Sequence, residues 1–165
     1  MLAAFFRLPL PLVRHISYMT FMTATLDTIR EDFSFLDSWE DRYRYVIDLG
    51  RELDGLPESE RTEANRVQGC VSQVWLSTRR TGDPADPVLV FRADSDAHIV
   101  RGLVAILLTM FSNRRASEIL AMDAEAILAE LGLDQHLSSQ RSNGLRSMVR
   151  RIRMEAASAL QATPS

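Results

Sequence analysis

One stretch of this sequence is apolar on nearly every side of a helix. Most residues between Ile99 and Phe111 are apolar, and Leu103–Leu108 is an unbroken apolar run. A membrane span needs about 20 apolar residues, so this run is too short to cross a bilayer. A helix that is apolar all round otherwise belongs in a protein core. The sequence therefore predicts one central buried helix, which ends near Phe111 and is capped at its start by residues 94–96.

Two predicted strands precede this helix. Residues 71–78 alternate in polarity and are rich in the β-branched and aromatic types that favour strands. Residues 88–93 predict a second strand, and the residues between the two, 81–87, are typical of a turn. Because this connection is too short for a parallel crossover, we predict an antiparallel hairpin. A third strand is expected at residues 63–69.

Amphipathic patterns flank the hairpin on both sides. The predicted helices cover Asp27 or Thr28 to about Leu36, about Trp39 to Leu53 behind a capping box at Ser38–Asp41, Ala116–Ala121, Ala124–Leu131, and about Ser142 to Ala159. A chain of 165 residues is long enough for one domain with its own core. We therefore predict an α+β fold, a small antiparallel sheet covered by helices, in a single domain from residue 27 to 165.

The first 26 residues differ from the rest because they contain no acidic residue. Arg7, Arg14 and two prolines interrupt their apolar runs, which excludes a secretory signal and a membrane span. We expect a disordered extension or a wrongly assigned start, with Met19 or Met22 as the alternative first residue. An organelle-targeting segment is the second interpretation, since such segments are rich in Arg and poor in acids.

The charged residues exclude several classes of chemistry. All 19 Lys and Arg residues are Arg, so the chain has no lysine to hold pyridoxal phosphate or to serve a nucleotide-binding P-loop. The net charge of −3 gives no indication of a nucleic-acid partner. The three histidines and one cysteine do not stand at metal-ligand spacing. We therefore predict no metal, no cofactor, no nucleic-acid partner and no membrane partner.

Cys70 is the one residue with distinctive nucleophilic chemistry. A thiol reacts as its thiolate, and Arg66, four residues upstream, is expected to lower its pKa. Gly69 permits the backbone to bend beside it. His98 or His136 would have to act as the base in a cysteine hydrolase. A single cysteine offers no resolving partner, which leaves the role of carrying a persulfide, an acyl group or a mixed disulfide. The alternative is a small buried side chain with no chemical role.

Four segments of the sequence resemble successive motifs of the SufE family. They are Ser38-Trp39-Glu40-Asp41-Arg42-Tyr43, Val67-Gln68-Gly69-Cys70-Val71-Ser72-Gln73-Val74-Trp75, Asp94-Ser95-Asp96-Ala97-His98-Ile99-Val100-Arg101-Gly102-Leu103, and His136-Leu137 followed by Arg141-Ser142-Asn143-Gly144-Leu145. They stand in the order and spacing of the family, and the resemblance covers roughly residues 29–159. The most specific is the segment around Cys70.

The resemblance implies a function and a set of site residues. SufE-like proteins have an α+β fold similar to the IscU scaffold and occur in the cytoplasm. They accept sulfur from a SufS-type cysteine desulfurase, which holds the pyridoxal phosphate, and pass it to a SufBCD-type scaffold for iron–sulfur cluster assembly. The acceptor cysteine of the family falls on Cys70, and an arginine of the late loop falls on Arg141. Loop support or partner binding is expected of the neighbouring residues Arg66, Gln68, Gly69 and Ser72.

On this interpretation the chain is an accessory protein without turnover of its own. Cys70 would need shelter while it holds sulfur and exposure when it exchanges sulfur, so we expect its loop to move about Gly69. Two other functions remain open: an independent thiol enzyme that uses His98 or His136, and a binding module in which Cys70 only packs. The oligomeric state, monomer or homodimer, is also open.

Overall fold

The computed structural model describes residues 24–162. Most of the predicted N-terminal extension, residues 1–23, lies outside this range, so that prediction and the domain boundary at residue 27 stay predictions. The helices are α1 Leu26–Phe35, α2 Trp39–Arg51, α3 His98–Phe111, α4 Ala116–Ala121, α5 Ala124–Glu130, α6 Leu133–His136 and α7 Ser139–Gln161, with a short 3-10 helix at Glu58–Glu60. The strands are β1 Val74–Thr81, β2 Val88–Ser95 and β3 Arg114–Arg115.

The three strands form one antiparallel sheet in the order β1-β2-β3. The predicted hairpin is confirmed, and its register runs from Val74 opposite Ser95 to Thr81 opposite Val88. The predicted α+β class is confirmed as well, because helices pack on this small sheet.

The predicted third strand at residues 63–69 is wrong. This segment makes one isolated bridge, between Arg66 and Trp75. A turn precedes the bridge, with Arg66 N donating to Glu63 O, and Gly69 bends the chain away with a φ of 88°. The third strand is instead β3, which pairs with the start of β2.

Helix α3 is the central buried helix, as predicted, and every residue from Gly102 to Leu108 is buried. Asp94 does not cap it, because β2 continues through Ser95 and turns the Asp94 carboxylate inward. Asp94 is 2% exposed, and its oxygens lie 2.7 Å from Arg61 Nη2 and 3.2 Å from Arg101 Nε. A buried carboxylate needs such partners, so Asp94 links strand β2 to helix α3 through Arg101 and to the loop that carries Arg61. Among residues 24–162, no helix is both long and apolar enough to cross a membrane.

The helix starts agree with the sequence in part. Thr25, rather than Asp27 or Thr28, caps α1, since its hydroxyl accepts from Thr28 N at 3.2 Å. Ser38 caps α2 as predicted, but the capping box is incomplete: the Asp41 carboxylate accepts from the Ser38 hydroxyl instead of the Ser38 backbone. Helix α2 then ends at Arg51, two residues earlier than predicted.

Helix α7 starts earlier than predicted. Ser138 caps it, because its hydroxyl accepts from Arg141 N at 3.4 Å. The helix therefore begins at Ser139 rather than near Ser142. Arg141, predicted in a loop, lies in the first turn of this helix.

Helices α2 and α3 cross in backbone contact. A Cβ atom added at Gly102 would overlap the Val46 carbonyl oxygen, and one added at Gly50 would lie 2.6 Å from Gly102 N. Neither position has room for a side chain. These two glycines therefore set how closely helix α2 approaches the central helix α3.

We predict that Gly102→Ala lowers the free energy of unfolding by about 2 kcal/mol or more, because the methyl group overlaps a backbone that cannot give way. Gly144→Ala in α7 is the matched control: its Cβ would meet nothing nearer than Cys70 Sγ at 3.6 Å, an ordinary contact. Urea unfolding at equilibrium measures both variants. Equal stability of the two variants would contradict the close helix crossing.

Candidate functional site

Cys70 lies in a short irregular loop, residues 68–73, which we call the Cys70 loop. The two ends of this loop are joined, because Val67 N donates to Val74 O at 2.8 Å and Leu76 N donates to Asn65 O at 2.8 Å. Val67 and Val74 are both buried. The chain therefore enters and leaves the loop through a fixed stem.

The Cys70 side chain points inward and rests on helix α7. It is half-buried at the edge of the hydrophobic core, and its thiol donates to Gly144 O at 3.5 Å. Gly144 brings no side chain, so the sulfur lies directly on the helix backbone; an added Cβ would be 3.6 Å from Sγ. We call Gly144 and Ser147, the two residues of α7 beneath this loop, the seat.

The position of Gly69 above the seat requires a glycine, both for its backbone angle and for its lack of a side chain. Its φ of 88° is in the left-handed region that favours glycine, and an added Cβ would lie 2.6 Å from Ser147 Oγ. Ser147 is 6% exposed, and its hydroxyl accepts from Arg150 Nη2 at 2.9 Å. The inward position of Cys70 thus depends on a glycine immediately before it.

The surroundings of Cys70 favour the neutral thiol. Burial raises the pKa of the Cys70 thiol, and a carbonyl oxygen accepts a hydrogen bond only from the protonated form. The prediction that Arg66 lowers this pKa is wrong. Arg66, four residues before Cys70, forms an ion pair with Glu63 instead, with 3.6 Å between its guanidinium and the Glu63 carboxylate.

Arg151 of α7 holds the stem and was not recognised from the sequence. Its Nη2 donates to Ala64 O at 3.0 Å and its Nη1 to Arg66 O at 3.4 Å. Glu155, one turn further along the helix, accepts from its Nε at 2.9 Å and orients it. The Arg-x-x-x-Glu spacing was the available signal, but it does not reveal the distant carbonyl groups.

Asp96 holds the other end of the Cys70 loop. Its carboxylate accepts from Gln73 N at 3.0 Å, and its own N–H donates to Gln73 O at 3.3 Å. The sequence assigned Asp96 to a helix cap, so this contact was missed. The loop is therefore tied down on both sides of Cys70.

The other predicted site residues have mixed surroundings. Gln68 is exposed and donates to the Glu63 carboxylate at 3.2 Å, and Ser72 is half-buried in the loop. Arg141 is exposed one turn before Gly144, on the same helix as the seat. The structure thus places Gln68, Gly69 and Ser72 around Cys70, and their roles and those of Arg66 and Arg141 stay predictions.

Neither candidate histidine is the hydrogen-bond partner of the thiol. The His136 ring stacks on Trp39 with ring centroids 3.8 Å apart, and its carbonyl accepts from the Tyr43 hydroxyl. His98 is the exposed first residue of α3. The described part of the chain also holds no group of three or more His, Cys, Asp or Glu side chains able to bind a metal.

Comparison with known proteins relates the chain to one family and one fold. The SufE family, described as an Fe-S metabolism associated domain, matches residues 27–156. An uncharacterized SufE-like protein of Rhizobium meliloti is 62% identical over 138 residues, 84% of this chain and 99% of that protein. One of Rhizobium etli is 62% identical over 133 residues, 81% of this chain and 90% of that protein.

A solved structure shares the architecture at low sequence identity. The solution structure of a hypothetical protein from Thermus thermophilus matches with a TM-score of 0.65 and 17% identity. The match covers 83% of this chain and 96% of that chain. This likeness shows the fold alone.

We predict that the rate at which Cys70 is alkylated by iodoacetamide rises with pH around a midpoint above that of an ordinary thiol, because burial raises the pKa of Cys70. The same chain unfolded in urea is the control and should show the ordinary midpoint. A native midpoint equal to or below that of the unfolded chain would mean that the seat does not disfavour the thiolate.

Proposed function

The chain belongs to the SufE family, a family associated with iron–sulfur metabolism, and on that premise we propose that it accepts sulfur on Cys70 from a cysteine desulfurase and carries it towards cluster assembly. One observation carries the proposal. The single cysteine of the chain lies half-buried in a short loop whose ends are fixed while its tip rests on a helix. A sulfur carrier needs a cysteine that is protected from solvent while it holds sulfur and that a loop movement can expose to a partner protein.

The proposed step is a thiol–persulfide exchange. The Cys70 thiolate attacks the outer sulfur of a persulfide on the desulfurase cysteine, and a new sulfur–sulfur bond forms at Cys70 Sγ. The bond to the desulfurase cysteine breaks, and its electron pair leaves on that cysteine as a thiolate. The proton of Cys70 passes to solvent. No electrons are gained or lost overall, so the exchange needs no redox cofactor on this chain.

Exchange requires Cys70 to leave its inward position. The outer sulfur of the donor must come into contact with Cys70 Sγ, which in the described structure is half-buried and rests on the backbone of α7. The stem stays paired while residues 68–73 rearrange, and Gly69 is the residue whose backbone angles allow it. The inward form then represents the resting state, in which the neutral thiol is protected from small thiols and oxidants.

The partners follow from the same proposal. The donor is a SufS-type desulfurase, which supplies the pyridoxal phosphate that this lysine-free chain cannot anchor. The acceptor is a SufBCD-type scaffold in the cytoplasm. Arg141 is exposed near the seat and suits a carboxylate of either partner. A monomer satisfies every step, and a homodimer is not needed for any of them.

The two alternative functions lack a supporting contact. An independent thiol enzyme needs a base on its nucleophile, whereas the Cys70 thiol donates to a backbone carbonyl. In a pure binding module, a cysteine that only packs would not require a glycine with a left-handed backbone angle beside it. Gly69 therefore favours the carrier over both alternatives.

We predict that Cys70→Ser folds normally and takes up no sulfur. Serine differs by one atom and its hydroxyl is a far weaker nucleophile. The chain is mixed with a SufS-type desulfurase and free cysteine and then weighed intact by mass spectrometry. Wild type should gain one sulfur that is lost on reduction.

Two results would refute the carrier assignment. One is a wild-type chain that gains no sulfur although the desulfurase is active. The other is a Cys70→Ser chain that speeds sulfide release by the desulfurase as well as wild type does. Urea unfolding of the variant shows separately that it is folded.

We also predict that Gly69→Ala exposes Cys70. A left-handed backbone angle costs a non-glycine residue about 1–2 kcal/mol, and the new Cβ also collides with Ser147 Oγ. Both effects disfavour the inward form, so iodoacetamide should modify Cys70 roughly tenfold faster than in wild type.

Gly82→Ala is the matched control for this variant. Gly82 also has a positive φ, 79°, but its Cβ would meet only Val88 Cγ2 at 3.9 Å, and it lies in the hairpin turn. Its alkylation rate should equal that of wild type. Equal rates for Gly69→Ala and Gly82→Ala would show that Gly69 does not control the position of Cys70.

A further inference from the structure

Val71 is the most exposed of the large apolar side chains in residues 24–162. It is 76% exposed, while Cys70, directly before it, points inward onto the seat. Residues 71 and 72 form a bend, and across it these two neighbouring side chains have opposite surroundings, water for Val71 and helix α7 for Cys70. A rotation of the loop that exchanges these surroundings would bring Cys70 out and Val71 in.

We propose that Val71 replaces Cys70 in the seat when the loop opens, so that burial of Val71 balances the loss of the buried thiol and holds Cys70 outward for sulfur exchange. Val71 is then a positioning residue, which acts through the loop and does not touch the sulfur being transferred. This inference rests on the proposed function, since it describes how the carrier presents Cys70.

The seat has the size that this exchange requires. It already holds the two side-chain heavy atoms of Cys70, and a methyl-sized space remains at Gly144, where an added Cβ would meet nothing nearer than 3.6 Å. Valine has one more side-chain heavy atom than cysteine. The bare backbone at Gly144 therefore leaves room for Val71 without displacing helix α7.

The seat also has the polarity that this exchange requires. Cys70 packs there against the hydrophobic core; of the two polar groups of the seat, the Gly144 carbonyl accepts from the thiol and the Ser147 hydroxyl already accepts from Arg150 Nη2. A carbonyl accepts from a neutral thiol and tolerates an apolar group, but it repels a thiolate or a persulfide anion. The anion that reacts is thus disfavoured in the seat, whereas an isopropyl group is not.

The fixed stem makes the movement a local one. The backbone pair between Val67 and Val74 lies outside the Cys70 loop and needs no change. The two hydrogen bonds between Gln73 and Asp96 at the end of the loop are kept, and the contacts that must be released are the Cys70–Gly144 hydrogen bond and the packing of Gly69 on Ser147. Transferring one apolar side chain from water into the seat is comparable in size to these losses.

The test is the alkylation of Cys70 in the full chain without a partner. Val71→Ser removes the apolar gain of the open form and leaves the inward form, where residue 71 is in water, unchanged. We expect iodoacetamide to modify Cys70 in this variant roughly tenfold more slowly than in wild type. Val71→Ala, which fits the same space and keeps part of the apolar gain, should give a rate between those of Val71→Ser and wild type.

Two controls separate the loop from general effects. Met154→Ser changes another exposed apolar side chain, 67% exposed and on α7, and should leave the rate unchanged. In urea, all variants should be alkylated at one rate, because the intrinsic reactivity of the thiol is then the same. A second measurement uses the chain alkylated at Cys70, in which a nuclear Overhauser contact between the Val71 methyls and Gly144 Hα is expected.

Other outcomes overturn the exchange. If Val71→Ser alkylates as fast as wild type, or faster, Val71 does not hold the loop open. If in addition the KM for the desulfurase rises, Val71 is a docking contact with the partner instead. Absence of the Val71–Gly144 contact in the alkylated chain also overturns it. Failure of the carrier function itself would appear separately, as a wild-type chain that gains no sulfur mass.

Discussion

The backbone contact between α2 and α3 is the constraint on which the remaining structure depends. Gly50 and Gly102 let the two helices approach until backbone atoms of one helix touch the other. Helix α3 packs in turn against β2 and against α7. Its position therefore fixes the distance between the sheet, which carries the stem of the Cys70 loop, and α7, which carries the seat. A shift of α3 would separate the thiol from Gly144.

Features encoded by neighbouring residues were predicted well, and those that depend on distant partners were not. The hairpin, the buried α3 and the Ser38 cap follow from local patterns, and each is present. Asp94 is of a residue type that commonly caps helices. Arg61, which comes from a separate loop, instead forms a buried ion pair with the Asp94 carboxylate. The third strand was misplaced for the same reason, since pairing of β3 with β2 is decided by how α3 returns the chain.

The candidate site shows the same division. Cys70 stands out from the sequence by its residue type, and Gly69 by its conformational freedom. The direction of the thiol pKa was wrong because burial sets it, and the thiol is buried against a helix that comes 74 residues later in the chain, at Gly144. Arg66, close in sequence, is engaged by Glu63. No local pattern indicates that the backbone of α7 forms the floor beneath the loop.

Under the proposed carrier function, with a loop that opens and closes, the fixed stem has a consequence for the kinetics of sulfur delivery. Because Val67 and Val74 stay paired, loop opening breaks no sheet hydrogen bond and belongs with ordinary loop motions, on a scale of about nanoseconds to microseconds. Two proteins at micromolar concentration meet only about every 0.1 seconds or more slowly. The loop therefore samples both positions many thousands of times between encounters. The proposed desulfurase partner would then meet an equilibrated population of loop positions, and the open fraction rather than the opening rate would govern how many encounters are productive.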